Sequence, residues 1–283
     1  MKHSLRRYGI ATVAAMAVGW LISVNASGQA GGTAKKTDTS AATTPRTADG
    51  HPDLTGIWRG GNGGGGSQNG PKKDANGNIN VVLAARGGSG ANFEIDNAIK
   101  RRSDPNKPAY KTEYIQKVKD LDDNEATEDP AFFCKNPGVP RLGAPSQIVQ
   151  SPGQIVFLYA NGNTFRVVPT DGRPHRKNLD ETYLGDSIGH WEGDTLVVDV
   201  IGFTDDTWLD IAGYFHTTAL HVTERLSRQG DTLTYQSTVE DPNVLVKPWV
   251  ETPRTMHLSK DLLWEDPPCI EQDGAHLVTK EHH

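Results

Sequence analysis

The chain is short of positive charge: 29 Lys and Arg stand against 35 Asp and Glu, a formal net charge of -6 over 283 residues. With no general basic field, the charge argues against nucleic acid or an anionic membrane surface as a partner. Long apolar runs are also lacking. The one uncharged, mostly apolar stretch, Gly9 to Val24, is shorter than the ~20 residues that span a bilayer, so no stable membrane insertion is expected. Motifs that name a reaction are missing as well. No His-Glu-x-x-His pair marks a zinc site, and no Gly-x-Ser-x-Gly elbow presents a nucleophile. Gly87-Gly88-Ser89-Gly90 has neither the dinucleotide-binding spacing nor a phosphate-loop lysine, so no cofactor is expected. Cysteine is scarce, with only Cys134 and Cys269.

What is present begins with an export signal. Lys2, Arg6 and Arg7 precede the apolar run, and small residues follow it at Ala26 and Ala30, the pattern of a cleaved secretory signal peptide over residues 1–26. The Arg6-Arg7 pair also suits a twin-arginine route, although Gly9 stands where such signals place a bulkier apolar residue. Export predicts a periplasmic or secreted protein and an oxidising compartment, in which Cys134 and Cys269 form a disulfide worth about 3–5 kcal/mol. A paired cysteine is neither nucleophile nor metal ligand. Residues 27–50 are Gly, Ser, Thr, Ala and Lys with almost no large apolar side chain; such a segment buries too little to offset the entropy of ordering and reads as a disordered linker. Residues 51–283 then form a single β-rich domain.

The organisation of that domain follows from period-2 runs separated by turn residues. Leu54–Arg59 reads as a first strand and Ile79–Leu83 as a short one. Eight more strands are predicted at Gln147–Gln150, Gln154–Tyr159, Thr164–Pro169, Ser187–Trp191, Thr195–Ile201, Ala219–Ser227, Thr232–Glu240 and Trp249–Leu258. Asn161-Gly162 is the strongest hairpin signal, and Gly-Asp-Thr-Leu occurs twice, at Gly193–Leu196 and Gly230–Leu233, each time as a tight turn into a strand. An antiparallel meander closing into a lipocalin-like barrel is predicted, with a β-sandwich as the alternative. Tyr110, Tyr114, Ile115, Val118 and Leu121 fall at helical spacing and predict one amphipathic helix over Ala109–Asp122.

Gly56-Ile57-Trp58 resembles the Gly-x-Trp that opens lipocalin barrels. A second resemblance covers Asp129 to Cys269. Its residues are Asp129-Pro130, Pro137-Gly138-Val139-Pro140-Arg141, Asp171-Gly172-Arg173-Pro174, the string Gly189-His190-Trp191-Glu192-Gly193-Asp194-Thr195-Leu196-Val197-Val198, Thr207-Trp208-Leu209-Asp210, and Thr223-Glu224-Arg225 with Glu240-Asp241-Pro242. Together they resemble a widespread family of uncharacterised secreted bacterial β-rich proteins. The resemblance implies a shared fold and a fixed role for Cys269, and carries no activity. Past the second cysteine that family continues in an Asn/Glu-rich segment, where this chain has Ile270-Glu271-Gln272-Asp273.

Candidate site residues come from two places. Strand alternation puts Glu224 on the apolar face with Leu220, Val222 and Leu226, where a carboxylate needs a cation such as Arg166 or Arg254, or else acts as an acid or base in a barrel cavity. The connection Thr204–His216 gathers carboxylates, an indole and an imidazole. Asp210 there is placed to orient His216 for proton transfer, and Trp208 to supply a flat wall; the plainer reading is a long polar loop. Trp191, Trp208, Tyr214 and Arg225 are the expected ligand-binding residues, with Asp210, His216 and Glu224 as the catalytic candidates. His175, His190, His216 and His221 lack metal-site spacing, and no metal is expected. Two functions follow: a binder of a small apolar, aromatic or sugar-like molecule in a barrel mouth, or a lyase, isomerase or hydrolase using the His/Asp/Glu groups on the same scaffold.

Overall fold

The computed structural model describes residues 43–60, 104–160 and 163–263. The expected signal peptide, most of the expected linker, the expected Ile79–Leu83 strand and Asn161-Gly162 turn, and Cys269 lie outside the described residues, and with Cys269 so does its expected pairing to Cys134. Among the described residues no helix is long and apolar enough to cross a membrane.

Two glycine turns act as the sequence predicts. Glu192 pairs with Thr195 across Gly193-Asp194, and Gln229 with Thr232 across Gly230-Asp231. Both glycines have positive φ, 61° and 56°, which suits a glycine in the first position of a two-residue hairpin loop. The strands so joined are β5 (Asp186–Glu192) with β6 (Thr195–Ile201), and β7 (His221–Gln229) with β8 (Thr232–Glu240). Upstream, β1 (Gly56–Gly60), β2 (Gln147–Ser151), β3 (Gln154–Tyr159) and β4 (Thr164–Pro169) form a second meander. Downstream, the expected Trp249–Leu258 strand divides into β9 (Trp249–Val250) and β10 (Arg254–Ser259). Both lie against β8, β10 along its first half and β9 near its end.

The hydrogen-bonded order is β4-β3-β2-β1-β10-β8-β7-β6-β5, all antiparallel, with β9 off the path. This is a nearly closed nine-strand antiparallel barrel. The pairing of β1 with β10 joins the two meanders, and the one gap falls between the consecutive strands β4 and β5. Its cause is parity: eight antiparallel steps leave the first and ninth strands running the same way. A two-residue hairpin cannot connect parallel neighbours, so residues 170–185 cross the full length of the barrel between them. Side chains hold the edges together instead. A Cβ on Gly189 of β5 would lie 2.9 Å from Val168 Cγ1 of β4, so the missing side chain permits this close approach.

The interior is filled by alternate residues, among them Trp58, Ile148, Phe157, Leu196, Val222, Leu226 and Leu233. Trp58 Nε1 donates to Leu54 O (2.9 Å), and the Arg228 guanidinium sits 5.1 Å from its ring. Residues 43–54 cover this end of the barrel. Arg46 donates to both oxygens of Asp194 in one hairpin turn (2.8 and 2.7 Å), and Thr44 Oγ1 accepts from Gly230 N in the other (2.8 Å). Ordered contacts therefore begin upstream of the expected start at His51, because two turns offer polar partners to a stretch that has no apolar ones.

The opposite end is plugged by the connection from β6 to β7. Phe203, Leu209, Phe215 and Leu220 are buried there, with the helix outside them. That helix, α1 (Ile115–Asp123), follows a single 3-10 turn at Thr112–Tyr114. It starts later than the expected Ala109 because residues 109–111 bond to the loop after β8: Lys111 N donates to Val244 O (2.9 Å) and Val246 N to Ala109 O (2.8 Å). Val118 and Leu121 face the core. Asp129, fully buried, caps Ala131 N and takes a two-point ion pair from Arg141 (2.7 and 2.6 Å).

Gly213, at φ 72°, lies under α1, where an added Cβ would stand 2.4 Å from Val118 O and 2.8 Å from Asp122 N. Backbone cannot yield as a side-chain tip does. Gly213→Ala should therefore destabilise the domain by about 2–4 kcal/mol through αL strain and displacement of the helix, read as a lower urea midpoint with unchanged slope.

Candidate functional site

Glu224 is fully buried in β7 and meets Arg166 of β4 across the barrel. Arg166 Nη2 donates to both carboxylate oxygens (2.8 and 2.6 Å), Tyr235 Oη donates to Oε1 (2.9 Å), and Arg166 Nε and Nη2 donate to Tyr159 Oη (3.1 and 2.7 Å). Burial opposes the Arg166 charge, but the facing Glu224 carboxylate outweighs it and holds the guanidinium protonated. Burial, reinforced by Glu224, pushes the Tyr235 phenol well above its ordinary range. This carboxylate is ion-paired with Arg166, an arginine of the kind expected for it, and does not itself line the cleft described below.

The loop candidates are placed differently from the expectation. Trp208, Asp210 and His216 are all buried in the plug, held by a bridge between Trp208 and Phe215 and by Leu209 N donating to Tyr214 O (2.7 Å). His216 Nδ1 faces Thr217 O (3.1 Å) and Nε2 faces Thr207 Oγ1 (2.7 Å). The carbonyl accepts only, so Nδ1 carries the hydrogen and Nε2 accepts from the threonine. Asp210 Oδ1 takes Ile211 N (2.8 Å). The proposed dyad is thus not formed: Thr207 and Thr217, not Asp210, orient the imidazole, because the loop folds inward where backbone and hydroxyl partners surround the ring.

The aromatic candidates do not share one pocket. Trp191 lies beside the Gly193 turn, stacked on His51 at 4.6 Å, whereas Trp208 and Tyr214 are at the other end of the barrel. Tyr214 stacks on Tyr110 (6.2 Å) and meets Trp249 edge-on (6.4 Å). Arg225 points outward and pairs with Glu192 (2.8 Å). Among the described residues each end of the barrel is covered by its own segment, and these groups do not line one common mouth.

Folding does assemble a cluster that spacing did not reveal. His175, in the 170–185 crossover, places Nδ1 on Asp186 Oδ2 and Nε2 on Asp199 Oδ2, both at 2.8 Å. Asp199 also contacts His221, whose other nitrogen lies 3.3 Å from Glu240. Arg176 Nε adds a bond to Asp186 Oδ1 (2.5 Å). Burial works against the Asp186 charge, yet the bonds from Arg176 and His175 prevail and keep its carboxyl below the usual range. The cluster pins the crossover to β5 and β6.

Between the pinned crossover and the open seam lies a cleft of about 610 Å³. Its walls include Phe165, Val167, Pro174, Tyr183 and Leu184, and Arg166, Asp186 and Ser187 also line it. Successive residues of β4, out-facing and in-facing alike, contribute, so the cleft penetrates the seam. Of the expected catalytic residues, only Glu224 reaches it, and only through Arg166. The signal available in the sequence was weak: Phe165 and Val167 form the apolar out-facing side of β4, 62% and 44% exposed, and polar residues would be normal there.

Glu224→Gln should cost about 3–5 kcal/mol, since it leaves a buried guanidinium uncompensated, while Arg225→Ala on the opposite face of the same strand should stay within about 0.5 kcal/mol; urea melts of the two variants check this. Burial holds His216 below its ordinary pKa, so the unfolded chain binds that proton more readily. Its contribution is complete above the unfolded value of ~6.5 and is lost as pH falls through the folded one. Urea midpoints between pH 8 and pH 5 should accordingly drop less steeply for His216→Asn than for the wild type. No protein family, curated protein or solved structure matches the chain.

Proposed function

We propose that the protein is an exported, periplasmic or secreted small-molecule-binding β-barrel protein, and that its apolar, aromatic or sugar-like ligand occupies the cleft at the β4–β5 seam. The observation that carries this reading is the cleft itself. Its volume of about 610 Å³ falls within the roughly 300–1,000 Å³ usual for small-ligand sites. Its lining combines apolar walls with a few fixed polar groups, the usual composition of such sites. Export rests on the basic residues and apolar run at the N-terminus, and membership of the secreted family on the Gly189–Val198 string. An enzyme using Asp210, His216 and Glu224 finds less support, since these groups are separately engaged and none lines the cleft.

The test uses N-phenyl-1-naphthylamine, a neutral dye that brightens in apolar sites, with the mature protein. Saturable enhancement is expected, and Phe165→Ser together with Tyr183→Ala should weaken it about tenfold or more, whereas Trp208→Phe in the plug leaves it unchanged. Enhancement that survives the cleft double variant would remove the cleft as the site.

A further inference from the structure

The cleft ends at two buried donors that have more hydrogen than acceptors. Ser187 is 7% exposed and Arg166 4%, and both line the cleft. Ser187 Oγ accepts a long bond from Arg166 Nη1, 3.3 Å. That bond uses a lone pair of the hydroxyl and one of the two Nη1 hydrogens. Among the described residues no acceptor receives the Ser187 O–H, and none receives the second Nη1 hydrogen. Every other donor of Arg166 is taken by Glu224 or Tyr159. Buried donors without acceptors are costly and uncommon, and here two of them stand side by side at a cleft.

Their surroundings carry the same sign. The charged residues lining the cleft are Arg166, Arg173, Arg176 and Asp186. Asp186 is already engaged, Oδ1 by Arg176 Nε and Oδ2 by His175 and Arg176 N. Arg176 keeps both terminal nitrogens unbonded among the described residues. Arg173 uses Nε and Nη2 on Asp171, which leaves Nη1. The charged groups of the cleft are therefore three guanidiniums against one engaged carboxylate, in a chain that is acidic as a whole.

Resting on the reading of the cleft as a small-molecule site, we infer that its ligand is a small organic carboxylate with an apolar body. One carboxylate oxygen accepts from Ser187 Oγ–H and Arg166 Nη1–H, the rim guanidiniums of Arg173 and Arg176 complement the charge, and the ring or chain rests on Phe165, Tyr183 and Leu184. Charged acceptors bind such donors about twice as strongly as neutral ones.

Displacement of bound N-phenyl-1-naphthylamine by 2-naphthoate and by its neutral counterpart 2-naphthamide tests this. The carboxylate should displace the dye at roughly tenfold lower concentration than the amide. Ser187→Ala, whose folding is checked by thermal melting, should erase most of that difference, and Arg176→Gln should reduce both the difference and its sensitivity to salt. Equal displacement by the two probes overturns the carboxylate inference and leaves the small-molecule reading standing. A carboxylate preference that Ser187→Ala and Arg176→Gln leave untouched overturns the assignment to these donors. Absence of dye binding to the wild type overturns both readings.

Discussion

The number of strands governs the rest of this molecule. An antiparallel barrel joins its first and last strands in antiparallel fashion only when the count is even, and this one has nine on its path. β4 and β5 are consecutive in sequence yet run parallel, and no ladder joins them. Three features follow from that one mismatch: a crossover long enough to travel the height of the barrel, a seam that side chains must hold, and a cleft where the crossover does not fill the seam. Gly189 lets Val168 approach across the seam, and Arg166 reaches Ser187 across it.

The buried Arg166–Glu224 pair makes sense in this setting. It links the edge strand β4 to β7 on the other side of the interior, a cross-brace where backbone hydrogen bonds are absent. Buried pairs of this kind gain little net free energy over apolar replacements, and what this one adds is a specified position for the edge. The same guanidinium carries the brace on one side and faces the cleft on the other. The acid–imidazole cluster around His175 has the matching role outside, fixing the crossover to β5 and β6. Brace and anchor lie on the two sides of one cleft.

Closure of both ends explains why the expected site dissolves. Trp208, Asp210 and His216 belong to a connection that supplies the barrel with its lid, and a lid of nineteen residues, 202–220, buries its polar groups only by satisfying them locally. Thr207 and Thr217 serve His216, and Asp241 serves Thr217, accepting from its N (2.7 Å) and its hydroxyl. Polar residues gathered in one loop read as chemistry in a sequence. Here they are the means by which a loop becomes core.

Local physics was legible from the chain alone. Alternation located the described strands of the barrel and put Glu224 among apolar neighbours, where a buried carboxylate needs a cation such as Arg166 or Arg254, and the Gly-Asp-Thr-Leu repeats gave two hairpins. Only the tertiary structure identified Arg166 as that cation, since the pairing depends on which strands face each other across the barrel. Residues 43–50 and the late start of α1 escaped sequence reasoning for a similar reason: their partners, Asp194, Gly230 and Val244, belong to remote turns. The cleft was the least legible feature. It arises from the parity of the whole strand set and from a crossover pinned by His175, and neither is a property of any window of residues that alternation or turn chemistry can read.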